Sequence, residues 1–511
     1  MCGIAAAYFF DHSKNVAETL YSLLLSQQNR MNYSAGINVF DENRENDFPI
    51  TADWGIGTID TAFGLEEERI FRLKSLEGYA GIAHGRYATS NANKNFTERQ
   101  KLAMAQPCRN IEDYKSCTFS FAFNGNIANF EELYQELKGP KEGYHIRSKT
   151  DNEVLRILLK KGIIKALGSK KNLVLDESAF KDIFAELSDK VVGAYSLVFL
   201  DGTGNLILAR DKEGTRPLVY TLQDFGLLAA SEPTAFADLG IMEKICDIRP
   251  GHFLLINGQN KVSNQIAFTT TKRRQCAFDP QYFSDVTSYY DGIRIQEFRR
   301  AQGKELFLLD KNILFTLDDY ASSVPKTARA ILNGYIEGCI VNGRQPPLPL
   351  DLLIQRGNFR NFMEDNPTER KEKVKSKFRQ TLEILKNKNL WLFEDSIVRG
   401  DVLKALIPLI KTAAQPKEIH VRVAWDMFNY PCYRGIDVPD RSQLLAPKFD
   451  GDIERIRTYL GVDSLKFLPI GTTKKLLAEN NLIGLKEEFC TACSDGNYPS
   501  LFEKKLAGLI K

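Results

Sequence analysis

The chain begins MCGIAAAYFF, residues 1–10. A cysteine stands directly behind the initiator methionine, then a glycine, then an apolar run that reads as a β-strand. Removal of Met1 would leave Cys2 with both a thiol and a free α-amine, a nucleophile carrying its own base. Many chains have an incidental cysteine near the start. The reading therefore depends on whether the rest of the sequence supplies donors for an oxyanion and side chains that hold a substrate.

At 511 residues the chain has room for two to four domains, each with its own core. Hydrophobic content of 43% and charged content of 26% are ordinary for a globular protein. The net charge of +3, from 68 basic and 65 acidic residues, gives no ground for nucleic acid or an anionic membrane as partner. No apolar stretch reaches bilayer-spanning length. The start lacks the basic leader of a secretory signal and meets Asp11 too early for one. A cytoplasmic protein with reduced thiols is expected. Clustered members of its nine cysteines then point to metal binding or catalysis, not to a disulfide framework.

Through about residue 250, short strand-like runs (GYAGIAHGRYAT, CTFSFAFNGNIANF, GAYSLVFLDGTGNLILARD) alternate with helical patterns such as VAETLYSLLLSQQNR and NFEELYQELK. This predicts a layered α+β domain, with IRPGHFLLING among its last strands. From about Asp279 the texture changes. NLWLFED reads as a buried strand, VLKALIPLIKTAA as a helix and EIHVRVAWD as the next strand, a parallel α/β order. NGRQPPLPLD reads as a proline-rich connection and PTERKEKVKSKFR as a solvated charged segment.

Three polar clusters fall where strands of the first half should end. AHGRYATSN offers Arg86, two residues after His84; FAFNGNIANFEEL offers Asn124 and Gly125 in a tight turn; SKTDNEVLRIL places Asp151 at a helix start. A thiol attacking a carboxamide creates an oxyanion, which the Asn124 side chain and the Gly125 N–H suit. An amino-acid substrate has a carboxylate for Arg86 to fork and an ammonium for Asp151. Taken singly, each cluster is also what an ordinary turn, surface charge or helix cap looks like.

In order along the chain, MCGI, HGRYATS, FNGNIANFEEL, TDNEV, GAYSLVF, ARDKEGTRPL and ASEPTAF resemble the class II, or N-terminal-nucleophile, glutamine amidotransferases. The resemblance implies an α+β four-layer αββα sandwich over residues 1–255. In it Cys2, freed of Met1, would attack glutamine and release ammonia. Asn124 and Gly125 would serve as oxyanion donors, and Arg30, Arg86 and Asp151 would act around the glutamine. Gln28, Asn29, Arg30 and Met31 stand where the family usually has Gln-His-Arg-Gly, and Gly85 and Ala88 stand where hydroxyl residues are common.

In the second half, LWLFEDSIVRGDVLKAL runs from a hydrophobic strand into Glu394 and Asp395, then a short loop, then a helix. Loop N–H groups and a helix N-terminus bind phosphate well, and an acidic pair accepts hydrogen bonds from a ribose diol. The run Glu394, Asp395, Ser396, Ile397, Val398, Arg399, Gly400 resembles the phosphoribosyl diphosphate loop of the type I phosphoribosyltransferases. Its nearest likeness is to the glutamine amidophosphoribosyltransferases, as with YPCYRGIDVP and LGVDSLKFL. This implies an α/β phosphoribosyltransferase-like domain with a parallel sheet over residues 256–511, including a C-terminal cluster-binding tail. Asp401 and Val402 stand where two hydroxyl residues should bond the 5′-phosphate. The family's diphosphate turn is read at residues 316–319. Its flexible loop is read at QRGNFRNF, with Gln355 for a lysine and Arg356 and Arg360 as diphosphate grips.

FCTACSDGNYPSLF carries Cys490 and Cys493 two residues apart, a spacing that by itself suggests structural zinc. With Cys276 and Cys432 the set is four. One branch of the amidophosphoribosyltransferases binds a [4Fe–4S] cluster on cysteines in such contexts, so the resemblance implies that cluster, with zinc or no metal as alternatives. Cys108, Cys117, Cys246 and Cys339 have no motif partners.

The resemblance as a whole implies a glutamine-dependent amidophosphoribosyltransferase. Glutamine would be hydrolysed at Cys2 and ammonia channelled to phosphoribosyl diphosphate, with Mg²⁺ on the diphosphate, giving phosphoribosylamine for purine synthesis. Family members usually form tetramers or dimers. The changes around the phosphate loop leave a second expectation, a divergent paralogue that delivers ammonia to another acceptor.

Overall fold

The protein is described from a computed structural model covering all residues except 44–48, 88–96, 113, 140–143, 145, 147, 171–172, 268–272, 291, 353–380, 437, 439, 480–487 and 511. Ala88, the QRGNFRNF loop and the charged segment PTERKEKVKSKFR lie outside the described residues. The chain divides into two compact units. The first comprises Met1–Gln275 together with two late segments, Tyr433–Asp437 and Ser500–Glu503; the second comprises the rest from Cys276.

Among the described residues the two main sheets of the first unit are built on β1 Gly3–Phe9, β2 Ser34–Phe40, β3 Ile50–Ile56, β4 Ala80–Arg86, β5 Cys108–Asn110, β6 Phe119–Ile127, β7 Gly193–Asp201, β8 Leu206–Arg210, β9 Val219–Gln223, β10 Gly226–Ala230, β11 Ile245–Asp247, β12 His252–Ile256 and β13 Val262–Ile266. The two sheets are ordered β11-β9-β10-β1-β4-β2-β3 and β13-β12-β8-β7-β6-β5. The paired strands run antiparallel.

Period-two alternation decides which side chains meet between the sheets. In β6, Phe121 and Phe123 join a core with the helices Asp151–Leu167 and Glu177–Lys190, through Val154, Leu158 and Phe184. Ala122, on the opposite face, joins Ile4, Ala6 and Ile82 of the other sheet in the core between the sheets. Asn124 shares the face of Ala122 and so points into that gap. On the outer face of the first sheet, the helix Ala17–Leu25 lies against Gly81, where a Cβ would come within 2.7 Å of Leu20. Helix, sheet, sheet, helix is the four-layer sandwich that the sequence predicts.

Asn124 and Gly125 are not in a turn. Both lie inside β6, opposite Ser196 and Tyr195 of β7. An Asn-Gly pair favours a hairpin turn, but here the ladder continues to Ile127 opposite Gly193, and the pairing overrides the local preference.

In the second unit, the strands Leu348–Pro349, Asp319–Ser323, Asn389–Glu394, Glu418–Val423 and Ser464–Phe467 lie side by side in that order, all parallel. Alternation again assigns the faces. Trp391 and Phe393 pack with Phe307, Ile331 and Tyr335 of one helix layer. Leu390 and Leu392 pack with Leu403, Leu406 and Ile407 of the helix Asp401–Ala414 on the other side. The proline-rich connection supplies the two-residue strand at the sheet edge, where a missing N–H is tolerated.

Ligand sites of parallel sheets lie at the carboxyl ends of the strands. Residues 316–319, read as the diphosphate turn, precede and open the strand Asp319–Ser323 at its amino end, so that reading is corrected. The segment leaving the carboxyl end of that strand is Val324-Pro325-Lys326-Thr327. It lies beside the end of the neighbouring strand, with the Val324 N–H donating to the Phe393 carbonyl at 2.9 Å.

Candidate active site

Strand register builds the nucleophile's surroundings. Gly3 lies opposite Gly85 and Ile4 opposite His84. Continued by one residue, this sets Cys2 beside Arg86, with His84 on the diagonal, and all three face the gap between the sheets. Across that gap the Cys2 backbone nitrogen donates to Asn124 Oδ1 at 3.1 Å. This nitrogen becomes the terminal amine once Met1 is removed. The other end of the same amide, Asn124 Nδ2, is buried with no hydrogen-bond partner among the described residues. One side chain thus orients the amine and keeps a donor in reserve beside the thiol.

Burial alone would raise the Cys2 thiol. The charge of His84, a hydrogen bond with it, the Met1 ammonium and the Tyr87 backbone outweigh burial and bring the thiol down to about 6 with Met1 in place. His84 is fully buried, and neither ring nitrogen makes a well-aligned hydrogen bond with a described residue; the ionisable group beside it is the thiol. His84 carried no assigned role in the sequence reading. The available signal was its spacing: two residues before Arg86 on a strand, it must share Arg86's face.

Arg86 ends β4, donates to the Met104 carbonyl and lies 5.3 Å from the centre of the Tyr33 ring. Its charge also acts on Asp151, the first residue of the helix Asp151–Leu167. Burial raises the Asp151 carboxyl and Arg86 opposes the rise. Thr150 caps that helix, accepting from the Glu153 N–H, so Asp151 is not used as the cap. Arg86 and Asp151 therefore lie within range of each other's charge.

Arg30 is wholly buried against Glu232, itself wholly buried, and Asn29 Nδ2 donates to the same carboxylate at 3.0 Å. The Arg30 Cβ lies 3.5 Å from where a Cβ on Gly3 would be, so this pair backs the nucleophile strand. Next to it, Met31 adopts ordinary extended backbone, φ −147° and ψ 150°, and needs no glycine. Its side chain fills the space over Gly85, where a Cβ would come within 2.3 Å of Met31 Cε. The two departures at positions 31 and 85 are thus complementary: the large residue occupies what the small one leaves.

In the second unit, the strand Asn389–Glu394 ends in Glu394, Asp395 and Ser396, all buried. Ser396 Oγ donates to Asp395 Oδ1 at 2.7 Å, and Gln281 Nε2 donates to the Asp395 carbonyl at 2.9 Å. Ile397 and Val398 are buried too, Ile397 in the core beneath the sheet, so the loop is anchored by its apolar side chains. Arg399 donates to Gln443 Oε1 from Nε at 3.0 Å and Nη2 at 2.9 Å. Gly400 takes φ +81° to start the helix Asp401–Ala414, and a Cβ there would stand 2.9 Å from Leu445. Asp401 is exposed in the first helical turn, while Val402 packs toward the core.

The four cysteines singled out by sequence come together. Burial and then the charges of Cys432, Cys276 and Cys490 push the Cys493 thiol well above its ordinary value. Backbone bonds hold them: Ala277 N–H to the Cys490 carbonyl at 3.1 Å, and Asn429 and Tyr430 N–H to the Cys493 carbonyl at 2.9 and 3.0 Å. Among the described residues, no three His, Cys, Asp or Glu side chains are grouped as ligands of a single metal ion. Likewise no described helix is long and apolar enough to cross a membrane.

Residues 99–238 match the family model of a glutamine amidotransferase domain. An amidophosphoribosyltransferase of Methanothermobacter thermautotrophicus is 31% identical, over 98% of this chain and 94% of its own. The Bacillus subtilis protein of that name is 26% identical over 98% of this chain and 94% of its own. The solved glutamine phosphoribosylpyrophosphate amidotransferase of B. subtilis, complexed with ADP and GMP, superposes with a TM-score of 0.76 at 25% identity, covering 98% of both chains. The likeness extends over nearly the whole of this chain, both units included. The chain belongs to the amidophosphoribosyltransferase family, the enzymes of the glutamine-dependent first step of purine biosynthesis.

Proposed function

We propose that glutamine is hydrolysed in the first unit, with Cys2 as nucleophile, and that the ammonia is passed to phosphoribosyl diphosphate held by the second. Sγ attacks the carboxamide carbon, and the oxyanion is held by Asn124 Nδ2 and the Gly125 N–H. The terminal amine, oriented by Asn124 Oδ1, takes the thiol proton and delivers it to the leaving ammonia. Arg86 clasps the substrate carboxylate and Asp151 its ammonium. Arg30, paired with Glu232, supports the nucleophile strand from behind. The observation that carries this reading is the divided amide of Asn124: its oxygen is on the Cys2 nitrogen and its buried NH₂ has no partner among the described residues. The test is glutamate and phosphoribosylamine formation by Met1-processed protein, with and without phosphoribosyl diphosphate. Glutamate release coupled to diphosphate release is expected.

In the second unit, N–H groups of Ser396 to Gly400 and the following helix N-terminus would hold the 5′-phosphate, with Glu394 and Asp395 toward the ribose hydroxyls. Mg²⁺ is proposed to enter with the diphosphate of the substrate, whose charge it offsets. Asp401 favours a second reading, ammonia delivered to a different acceptor, since a carboxylate in the first turn opposes a phosphate there. Glutaminase activity indifferent to phosphoribosyl diphosphate would support it.

The residues present fit a [4Fe–4S] cluster, held by Cys276, Cys432, Cys490 and Cys493. The charges of Cys432, Cys276 and Cys490 all act on the buried Cys493 thiol, which is the observation that supports one shared group on the four. Such a cluster would supply cross-links between segments distant in sequence. Iron and acid-labile sulfide against zinc in purified protein decide the metal. A homo-oligomer, dimer or tetramer, in the cytoplasm completes the proposal.

A further inference from the structure

Two segments from the far end of the chain, Tyr433–Asp437 and Ser500–Glu503, pack as part of the first unit. We propose that residues 433–435, tied down by Glu503, are a strap that positions Gly125 in its strand, and with it the oxyanion donors of the glutaminase reaction. The proposal rests on the reading of Asn124 and Gly125 given above.

The strap touches the oxyanion strand at two points. Asn126 Nδ2 donates to the Tyr433 carbonyl at 2.9 Å. Gly435 lies against Gly125 so closely that a Cβ on it would stand 3.1 Å from both the carbonyl carbon and oxygen of Gly125. Gly435 has φ +106°, a conformation that glycine adopts without strain. From the other side Gly125 is held by β7, where a Cβ on it would strike the Ala194 carbonyl at 1.9 Å. Gly125 therefore packs tightly against β7 and closely against the strap.

The strap is itself anchored by buried charge. Arg434 donates to both carboxylate oxygens of Glu503, from Nε at 2.7 Å and Nη2 at 3.0 Å. Its Nη1 reaches Glu213 Oε2 at 3.1 Å and Thr215 Oγ1 at 2.9 Å. The Arg434 carbonyl accepts from Arg216 Nε at 2.7 Å. Arg216 and Glu503 are fully buried and Arg434 is 3% exposed. The same anchorage reaches the ladder partner of Gly125: Asp211 Oδ2 accepts from the Tyr195 N–H at 3.1 Å and from the Thr215 N–H at 3.2 Å. So many buried polar groups converging on one chain segment fix its place, because each would be costly to leave unpaired. An oxyanion donor misplaced by a fraction of an ångström loses most of its effect in the transition state and little in substrate binding.

The test uses full-length, Met1-processed protein. Gly435→Ala is expected to lower glutaminase kcat at least tenfold, with the glutamine KM changed less than threefold and ammonia-dependent phosphoribosylamine synthesis retained. Arg434→Lys, which keeps the charge but loses the fork, should give a smaller loss of the same kind. If Gly435→Ala does not fold, judged by circular dichroism and thermal unfolding, Arg434→Lys carries the same comparison. A folded variant with unchanged glutaminase kcat overturns the strap, as does an equal loss of glutamine- and ammonia-dependent activities. Asn124→Ala separates the two readings: if it is fully active the oxyanion assignment fails, and if it is inactive while Gly435→Ala is normal only the strap fails.

Discussion

At Cys2, burial and charge pull the thiol in opposite directions, and charge from His84 prevails. A thiolate is the reactive form, so activity should be lost as pH falls through the thiol's value. We expect kcat/KM for glutamine hydrolysis to rise along a limb near pH 6 and level off above it. His84→Asn should move that limb upward toward the ordinary thiol range, about 8.5. A limb that stays near 6 in the variant would mean that His84 is not the cause. At positions 31 and 85 the argument is volume. Met31→Gly should cost about 2–5 kcal/mol through the cavity it leaves, and Gly85→Thr about 1–3 kcal/mol through overpacking. The double variant, measured by denaturant unfolding, should cost clearly less than the two together, because the new side chain enters the vacated space.

At the scale of elements, both sites lie at strand ends, but for different reasons. The Glu394–Asp395 pair ends a buried parallel strand and is held in place by the apolar anchors Ile397 and Val398. The following helix begins with an exposed carboxylate, Asp401, in the turn where the proposed phosphate would sit. Asp401→Thr should therefore lower the KM for phosphoribosyl diphosphate several-fold, on the order of 1–2 kcal/mol. The readout is ammonia-dependent synthesis, which bypasses Cys2. An unchanged KM would show that Asp401 stays clear of the phosphate. The loop was legible from a strand, an acidic pair and a glycine before a helix. The diphosphate turn was misplaced by one strand length, because an Asp-rich stretch near a strand does not reveal which end of the strand it occupies. Asn124 was read in a turn and lies in a strand, since local Asn-Gly preference gives no information about a partner strand more than sixty residues away.

At the scale of the whole molecule, cysteines far apart in sequence converge around Cys493. If they hold a cluster, Cys493→Ser should lose iron and sulfide together and lower the midpoint of thermal unfolding. Zinc in their place would exclude the cluster, and a variant as stable as the parent would exclude the cross-linking role. The same late part of the chain sends Tyr433–Asp437 and Ser500–Glu503 into the first unit, a connection no spacing rule announces.

The sequence by itself determined the family's motifs, the residue types offered for the proposed chemistry, and the alternation that sorts each strand into two faces. These follow from residue type and local period, which neighbours along the chain suffice to express. Only the tertiary structure decided the pairings: His84 against Cys2, Met31 over Gly85, Arg30 on Glu232, and the strap on Gly125. Each joins residues whose contact energy depends on a register or packing set by the whole fold, and that information is absent from either stretch alone.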